Sequence, residues 1–484
     1  MFKLNTFFSR IMSIDVIQRQ SIVSFIGQIG LKFIGFLSTM YVAHAVGPGV
    51  IGEYFLFIAY LSIVGLVTDG GFGGAAVKRI SEGEEQDEYF SAFVVLRFVF
   101  VMVVVAVLIA FRSYFIDFNN STFIWFLLAL IASFFGGAFS SGIQGCGKIG
   151  ISATASFIEN VSRIIFQVIL IFLGYGFGGL AGGFIAGIIV GSIVLLHFFD
   201  LHFVHFGWEH IKSLSKFSIW IFLISGGMIV FSTTDTVMIG YYLNKAEVGV
   251  YNIVLQFASL AAFTTIALNS TLFPKISRWG KIGETGLIEK SLSRAFTYSF
   301  ILAMPMLAGG VLLGDKLLYY LYGADFGRGY ITMVVLLIVQ IVNIFQYSFI
   351  SYLIALDHLK DLFKITLVAI AVNIALNALL IPAIGITGAA VATLATMVFN
   401  AVLAMRLLSK KIIIRMEIGS LLNILMAALA MSLLVGGFRM LVPLSNVWLV
   451  LVPVVLGAVV YVSLVLKFDM KIFNELKKIV TLNK

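Results

Sequence analysis

Fourteen apolar stretches run through this chain from near its start to near its end, each about as long as is needed to cross a hydrocarbon core roughly 30 Å thick. Nothing else in the sequence constrains the fold as strongly. With 61% hydrophobic and only 11% charged residues over 484 positions, the pattern predicts an all-α integral membrane protein. Turn residues and charges place the spans near 21–45, 50–69, 90–111, 121–143, 150–174, 178–199, 216–240, 247–272, 293–313, 330–355, 362–382, 385–406, 418–437 and 446–466.

Residues 1–20 mix Phe2, Leu4, Phe7, Phe8, Ile11 and Met12 with Lys3, Arg10 and Arg19. Two readings stand, a helix lying in the membrane interface and a cytoplasmic tail. The apolar stretch that follows is too long for a secretory signal and is succeeded by more of the same, so no cleaved segment is expected. Cys146 is the one cysteine, which rules out an intrachain disulfide and a multi-cysteine zinc site; its glycine neighbours point to packing.

With the N-terminus placed inside, the alternating loops can be tested by the positive-inside rule. Lysine and arginine then favour the inner loops by roughly five to one, which places both termini in the cytoplasm. The net charge of +9 and the pI near 9.4 follow from that topology, because inner basic loops lie against anionic lipid headgroups. No nucleic-acid partner is expected: the basic loops are separated by spans, and no RNA-binding or helix-turn-helix signature accompanies them.

Short echoes divide the chain. Val46-Gly47-Pro48-Gly49-Val50-Ile51-Gly52-Glu53-Tyr54 opens the second span, and Leu243-Asn244-Lys245-Ala246-Glu247-Val248-Gly249-Val250-Tyr251 opens the eighth. Gly176-Phe177-Gly178-Gly179-Leu180-Ala181-Gly182 enters the sixth, and Gly385-Ile386-Thr387-Gly388-Ala389-Ala390-Val391 the twelfth. A third echo sets Gly147-Lys148 before the fifth span against Leu359-Lys360 before the eleventh. The expected organisation is an N-terminal segment (1–20), two pseudo-symmetric six-helix lobes (21–205 and 206–408), and a C-terminal helix pair with a cytoplasmic tail (409–484). Transporters built from such halves bind substrate between them and alternate access by rocking one against the other.

At these residues the chain resembles a known family. The V-G-P-x-x-x-G-x-Y pattern with Thr68-Asp69-Gly70-Gly71-Phe72-Gly73, the run Thr234-Asp235-Thr236-Val237-Met238-Ile239-Gly240, and Asn373-Ile374-Ala375-Leu376-Asn377 leading to Pro382 and Gly385 are similar to the polysaccharide transporter family. These are the Wzx-type flippases, including O-antigen flippases, of the multidrug/oligosaccharidyl-lipid/polysaccharide exporter superfamily, and the resemblance extends from about Arg19 to Met405. It implies a V-shaped bundle with a central cavity. It also implies flipping of polyprenyl-pyrophosphate-linked oligosaccharide across the cytoplasmic membrane, with glycan polymerase and glycosyltransferases as partners and no cofactor.

Polar residues within spans carry the candidate chemistry, since charge at membrane depth marks substrate or ion pathways. Lys32 and Gln28 share a helical face, and an ammonium in a low-dielectric cavity attracts pyrophosphate. The other reading has Lys32 neutralising Asp69 or Asp235, or lining a cavity inertly. Arg163 follows Glu159 and Asn160; Glu159 and Arg163 are an i,i+4 pair in the favourable order, yet arginine keeps donors for phosphate after one pairing. Arg97 lies nearer a span end, where a long side chain can snorkel. The substrate-binding set is thus Lys32, Gln28, Arg163, Arg97 and Asn160.

Asp235, Glu159 and Asp69 are the candidates for proton or sodium coupling. For Asp235 the competing reading is a lock between helices, and for Asp69 a turn or cap. Asn373 and Asn377, and Gln340, Asn343 and Gln346, suit interhelical hydrogen bonds better than sugar contacts.

No GxxxxGK[ST] or HExxH motif is present, and the polar loops Lys78 to Glu88 and Ser277 to Lys290 are too short for a catalytic domain, so no catalytic or metal site is expected. A multidrug and toxin extrusion-type antiporter would favour acids for organic cations, whereas this chain puts Lys32 and Arg163 in its first half. A lipid II-type flippase shares the span number. A membrane-embedded glycosyltransferase would need a catalytic cluster on a large loop, and a scaffold gives the buried charges no role.

Overall fold

A computed structural model describes residues 16–111, 120–471, 473 and 474, with side chains placed at all of these except 16–29, 32, 33, 120, 359 and 360. Thirteen helical segments are long and apolar enough to cross a membrane, and the chain is a multi-pass membrane protein. The first two spans run on as one helix, α1 (Val16–Asp69), broken at Gly47, where φ is 72° and ψ 176°. Glycine reaches that conformation without a Cβ clash, and Pro48, lacking an N–H, restarts the helix where the donor has no partner to lose. This joint is why fourteen expected spans become thirteen continuous segments.

There follow α2 (Phe72–Ser81), α3 (Gln86–Ala110), α4 (Asn120–Gly145), α5 (Ile149–Phe172), α6 (Gly176–His197) and α7 (Trp208–Tyr242). Then come α8 (Lys245–Ser259), α9 (Phe263–Lys281), α10 (Thr285–Tyr322), α11 (Tyr330–Ala355), α12 (Leu359–Ile384), α13 (Ile386–Leu408), α14 (Ile418–Leu441) and α15 (Val447–Phe468). Helix α2 falls where a loop from Lys78 is expected. Phe72, Ala75, Ala76 and Ile80 recur at helical spacing and are buried, while Lys78 and Arg79 point outward over the Phe217 ring. The second expected loop likewise shrinks, because α9 continues to Lys281 and α10 begins at Thr285.

The chain forms two compact units, one ending at Val230 and the other beginning at Phe231, within α7. In the first, an aromatic cluster of Phe57, Phe126, Phe177 and Phe184 holds α1, α4 and α6 together through edge-on ring contacts. The link between α6 and α7 is pinned to the start of α3: the His202 and Val204 amides donate to Asp87 Oδ1 and Ser91 Oγ at 2.9 Å each. His210 Nε2 lies 3.1 Å from Glu85. The polar stretch Lys78 to Glu88 therefore also anchors this link, through Glu85 and Asp87. Cys146 packs beside it, and burial pushes its thiol above the ordinary range, with Lys148 pulling the other way. Its thiolate fraction at pH 7 is expected to fall below that of a free cysteine, so maleimide labelling should be slow at neutral pH and accelerate as pH rises.

In the second unit α14 and α15 pack on α10. The Tyr461 hydroxyl donates to the Ile301 carbonyl at 2.8 Å, and Arg439 forks onto Asp315 at 3.0 and 3.1 Å. The opposite face of α14, with Leu422, Met426, Leu429 and Leu433, stays exposed, as suits a surface solvated by lipid tails.

The repeat is visible inside each unit. Helices α4 and α11 end alike: Gly147 and Asp357 both have positive φ (74° and 68°), and the next amides, of Lys148 and His358, reach back to Ile143 and Leu353 at 3.1 and 3.0 Å. The structure thus pairs Gly147-Lys148 with Asp357-His358, two residues earlier than the echo read from sequence. Gly179 of α6 lies against Leu170-Ile171, and Gly388 of α13 against Leu380-Ile381. Both ends of α5 and α12 therefore agree on one register.

Candidate functional site

Helix α6 carries glycines at 179, 183, 187 and 191, one per turn, and α5 lies against them. An added Cβ at Gly187 would stand 2.8 Å from Arg163 Cβ and from the Glu159 carbonyl, and one at Gly191 2.9 Å from Glu159 Cβ. The missing side chains let α5 approach closely, so Glu159, Arg163 and Gln167, at i, i+4 and i+8, form a polar line among apolar neighbours.

The expected Glu159–Arg163 ion pair is not made: no oxygen–nitrogen approach within 4.0 Å joins them, and the Arg163 guanidinium turns instead to Asn160 Oδ1 at 2.9 Å. Its Nε is buried without a partner. Tyr54 of α1 meets this line. Its hydroxyl accepts from Gln167 Nε2 at 2.9 Å and lies within hydrogen-bonding reach of Arg163. Gln167 donates its second proton to the Leu180 carbonyl at 2.9 Å, so both its donors are engaged, while the Tyr54 proton has no acceptor among the described residues.

A second polar centre lies in the other unit. The half-buried Asp235 on α7 accepts from Tyr251 at 2.5 Å, Thr393 at 2.7 Å and Asn377 at 2.7 Å, drawing α8, α13 and α12 onto one carboxylate. Asn377 also donates to Asn373 at 3.1 Å. Among the described residues no Lys, Arg or His lies within 4.0 Å of Asp235, and the Asn377 carbonyl oxygen is buried without a partner. Three donors thus converge on one carboxyl group that has no cation within 4.0 Å among the described residues, an arrangement able to take up a proton or a small cation.

Arg97 does not snorkel. It is 8% exposed, donates to the Ser133 carbonyl at 3.1 Å, lies 3.8 Å from Asp69 and is flanked by the Phe93 and Phe134 rings. Gly137 makes room for its guanidinium. Asp69 also accepts from the Gly73 amide at 3.3 Å, at the turn into α2. Lys32 and Gln28 are on α1, and their side chains lie outside the described residues. Asn343 donates to Gln340 within α11 at 3.1 Å.

Tyr54, Gln167, Tyr251 and Thr393 were not singled out from sequence. For three of them a signal existed: the two tyrosines close the repeated nonapeptides, and Gln167 stands one turn beyond Arg163. Thr393 carries no such mark.

A family profile described as polysaccharide biosynthesis protein matches residues 17–279, more than half of the chain. The chain belongs to that family. It is 25% identical over 457 residues to the probable low-salt glycan biosynthesis flippase Agl15 of Haloferax volcanii, covering 93% of this chain and 96% of that one. The probable flippase AglR of the same organism is also 25% identical, over 402 residues, covering 81% and 84%. Among solved structures, the lipid II flippase MurJ in an inward closed conformation has the same fold, with a TM-score of 0.78 at 17% identity, covering 93% of this chain and 100% of that one.

Proposed function

We propose that this family member is a flippase that moves polyprenyl-(pyro)phosphate-linked oligosaccharide from the cytoplasmic to the outer leaflet, for the assembly of a surface polysaccharide. The observation that carries the reading is Arg163, a mid-span arginine that makes no ion pair within 4.0 Å with the acid one turn away and keeps a buried Nε donor without a partner among the described residues. Lys32, Gln28, Asn160 and Arg97 join it as proposed phosphate and glycan contacts. Asp235 is the proposed coupling group for proton or sodium, with Glu159 and Asp69 as further acids on the path. On this reading the protein lies in the cell membrane with both termini cytoplasmic, and two lobes, 21–205 and 206–408, rock about the substrate while 409–484 adds a helix pair. Glycosyltransferases that make the lipid-linked unit and a polymerase that consumes it are the proposed partners.

A cation antiporter fits less well, since a mid-span arginine repels its cargo. Mass spectrometry of lipids that co-purify with the protein tests the reading: a polyprenyl-pyrophosphate glycan is expected, and its absence together with no translocation in proteoliposomes would overturn it. Lys32→Ala should reduce flipping by on the order of 10- to 100-fold, the equivalent of one charge-assisted hydrogen bond, with insertion and abundance unchanged. Wild-type translocation in that variant would remove Lys32 from the site.

A further inference from the structure

The two polar centres stand at repeat-related positions. The matched nonapeptides pair Tyr54 with Tyr251, and continuing that register back along the preceding span sets Ser38 where the second half has Asp235. The shared register of α5 and α12, fixed at both ends, pairs Arg163 with Asn373 and Gln167 with Asn377. In the second half the tyrosine and the amide of this scaffold both donate to a carboxylate that the chain itself supplies. In the first half the same two positions again hold a tyrosine and an amide in contact, but no acid faces them from Ser38. The amide, having no carboxylate to meet, donates to the tyrosine oxygen instead. The tyrosine proton is left without an acceptor among the described residues, and an arginine stands where the other half has an asparagine.

We infer that the first half holds an oxyanion well, formed by Tyr54 and Arg163 and positioned by Gln167 and Asn160, which binds a phosphate group in the place that the Asp235 carboxylate fills in the second half. The arginine fork suits phosphate oxygens, and the tyrosine proton adds a neutral donor from another helix. Glu159, one turn from Arg163, is the group that opposes an anion here. Its carboxylate runs along Gly191 rather than onto the guanidinium, so it attracts Arg163 without closing an ion pair on it. The inference builds on the reading that Arg163 meets phosphate and adds the residues and the internal likeness that define the site.

The decisive variant is Ser38→Asp, which gives the first half the internal carboxylate of the second. Binding of inorganic pyrophosphate to the purified protein, read by calorimetry, and of polyprenyl monophosphate, read by native mass spectrometry, should each weaken at least tenfold in Ser38→Asp and in Arg163→Gln. Tyr54→Phe, which keeps the ring, should weaken them about threefold, and Ser38→Asn should leave them unchanged. Loss in both assays identifies a site for phosphate from either source, whereas loss for the lipid alone restricts it to the carrier headgroup. Wild-type affinity in both Ser38→Asp and Arg163→Gln, with Ser38→Asn folded normally, overturns the well. Should the wild type bind these probes as expected yet flip no glycan lipid, the well stands and the flippase reading falls. Should the variants flip and bind as wild type does, the reverse holds.

Discussion

Asp235→Asn is expected to abolish the gradient-dependent part of transport while leaving the protein folded in the membrane. The carboxylate accepts from Tyr251, Thr393 and Asn377 and has no counter-ion among the described residues, so its charge is the variable that a proton or cation can change. Asparagine keeps the volume but offers one acceptor oxygen to three donors, and it neither ionises nor binds sodium strongly. Hydrogen bonds to a charged acceptor contribute about 1.5–3 kcal/mol against about 1 kcal/mol for neutral ones, so the exchange weakens the junction of four helices. Removing a half-buried charge relieves a desolvation cost of similar size, and the net effect on stability should be small. Transport is different. With the titratable group gone, an imposed proton or sodium gradient should no longer accelerate flipping in proteoliposomes, a fall on the order of tenfold or more if the group supplies even 1.4 kcal/mol of coupling. Asp235→Glu keeps a charge and should retain part of the response. A gradient response equal to wild type in Asp235→Asn would falsify the coupling role.

Gly187→Val should severely damage the first unit. Its Cβ alone would come within 2.8 Å of the Glu159 backbone oxygen and Arg163 Cβ, and neither can yield without moving α5. Overpacking of this kind costs about 1–3 kcal/mol, and valine adds two methyls beyond the clash. The expected outcome is a lower melting temperature in detergent, together with lost flipping as the Glu159–Arg163–Gln167 line is pushed off Tyr54. Gly150 on the same α5 is the control: nothing lies within 4 Å of its Cβ position, so Gly150→Ala should be neutral or slightly stabilising through helix propensity. Equal melting behaviour of Gly187→Val and wild type would show that the helices do not depend on that approach.

Lys148 shows how local and tertiary signals divide. That a helix begins beside it was legible from the glycine before it. Its ion pair with Asp200, fifty-two residues away, was not, because only the fold brings the α6–α7 link back over the end of α4. Likewise Arg97 sits near a span end, where a side chain is free to reach the interface. Gly137, Ser133 and Asp69 give it a polar place inside, and a one-dimensional pattern contains no term for that choice. Helix α2 is the opposite case. Its apolar residues already repeat at helical spacing, but ten residues are too few to stand out against the long spans around them.

The sequence by itself determined the membrane helices, their approximate limits, the internal repeat and the unusual residues Arg163 and Asp235, because these depend on hydrophobicity, turn chemistry and periodicity, all of which are local. Only the tertiary structure decided what those residues meet. Glu159 and Arg163 have the spacing of an ion pair and do not form one. Asp235 gains donors from three other helices, and Tyr54 and Tyr251, alike in the repeat, face opposite charges. Partners of that kind are fixed by which helix faces pack together, and the packing follows from residues as distant as Gly187 and Thr393, whose effect exists only once the helices are side by side.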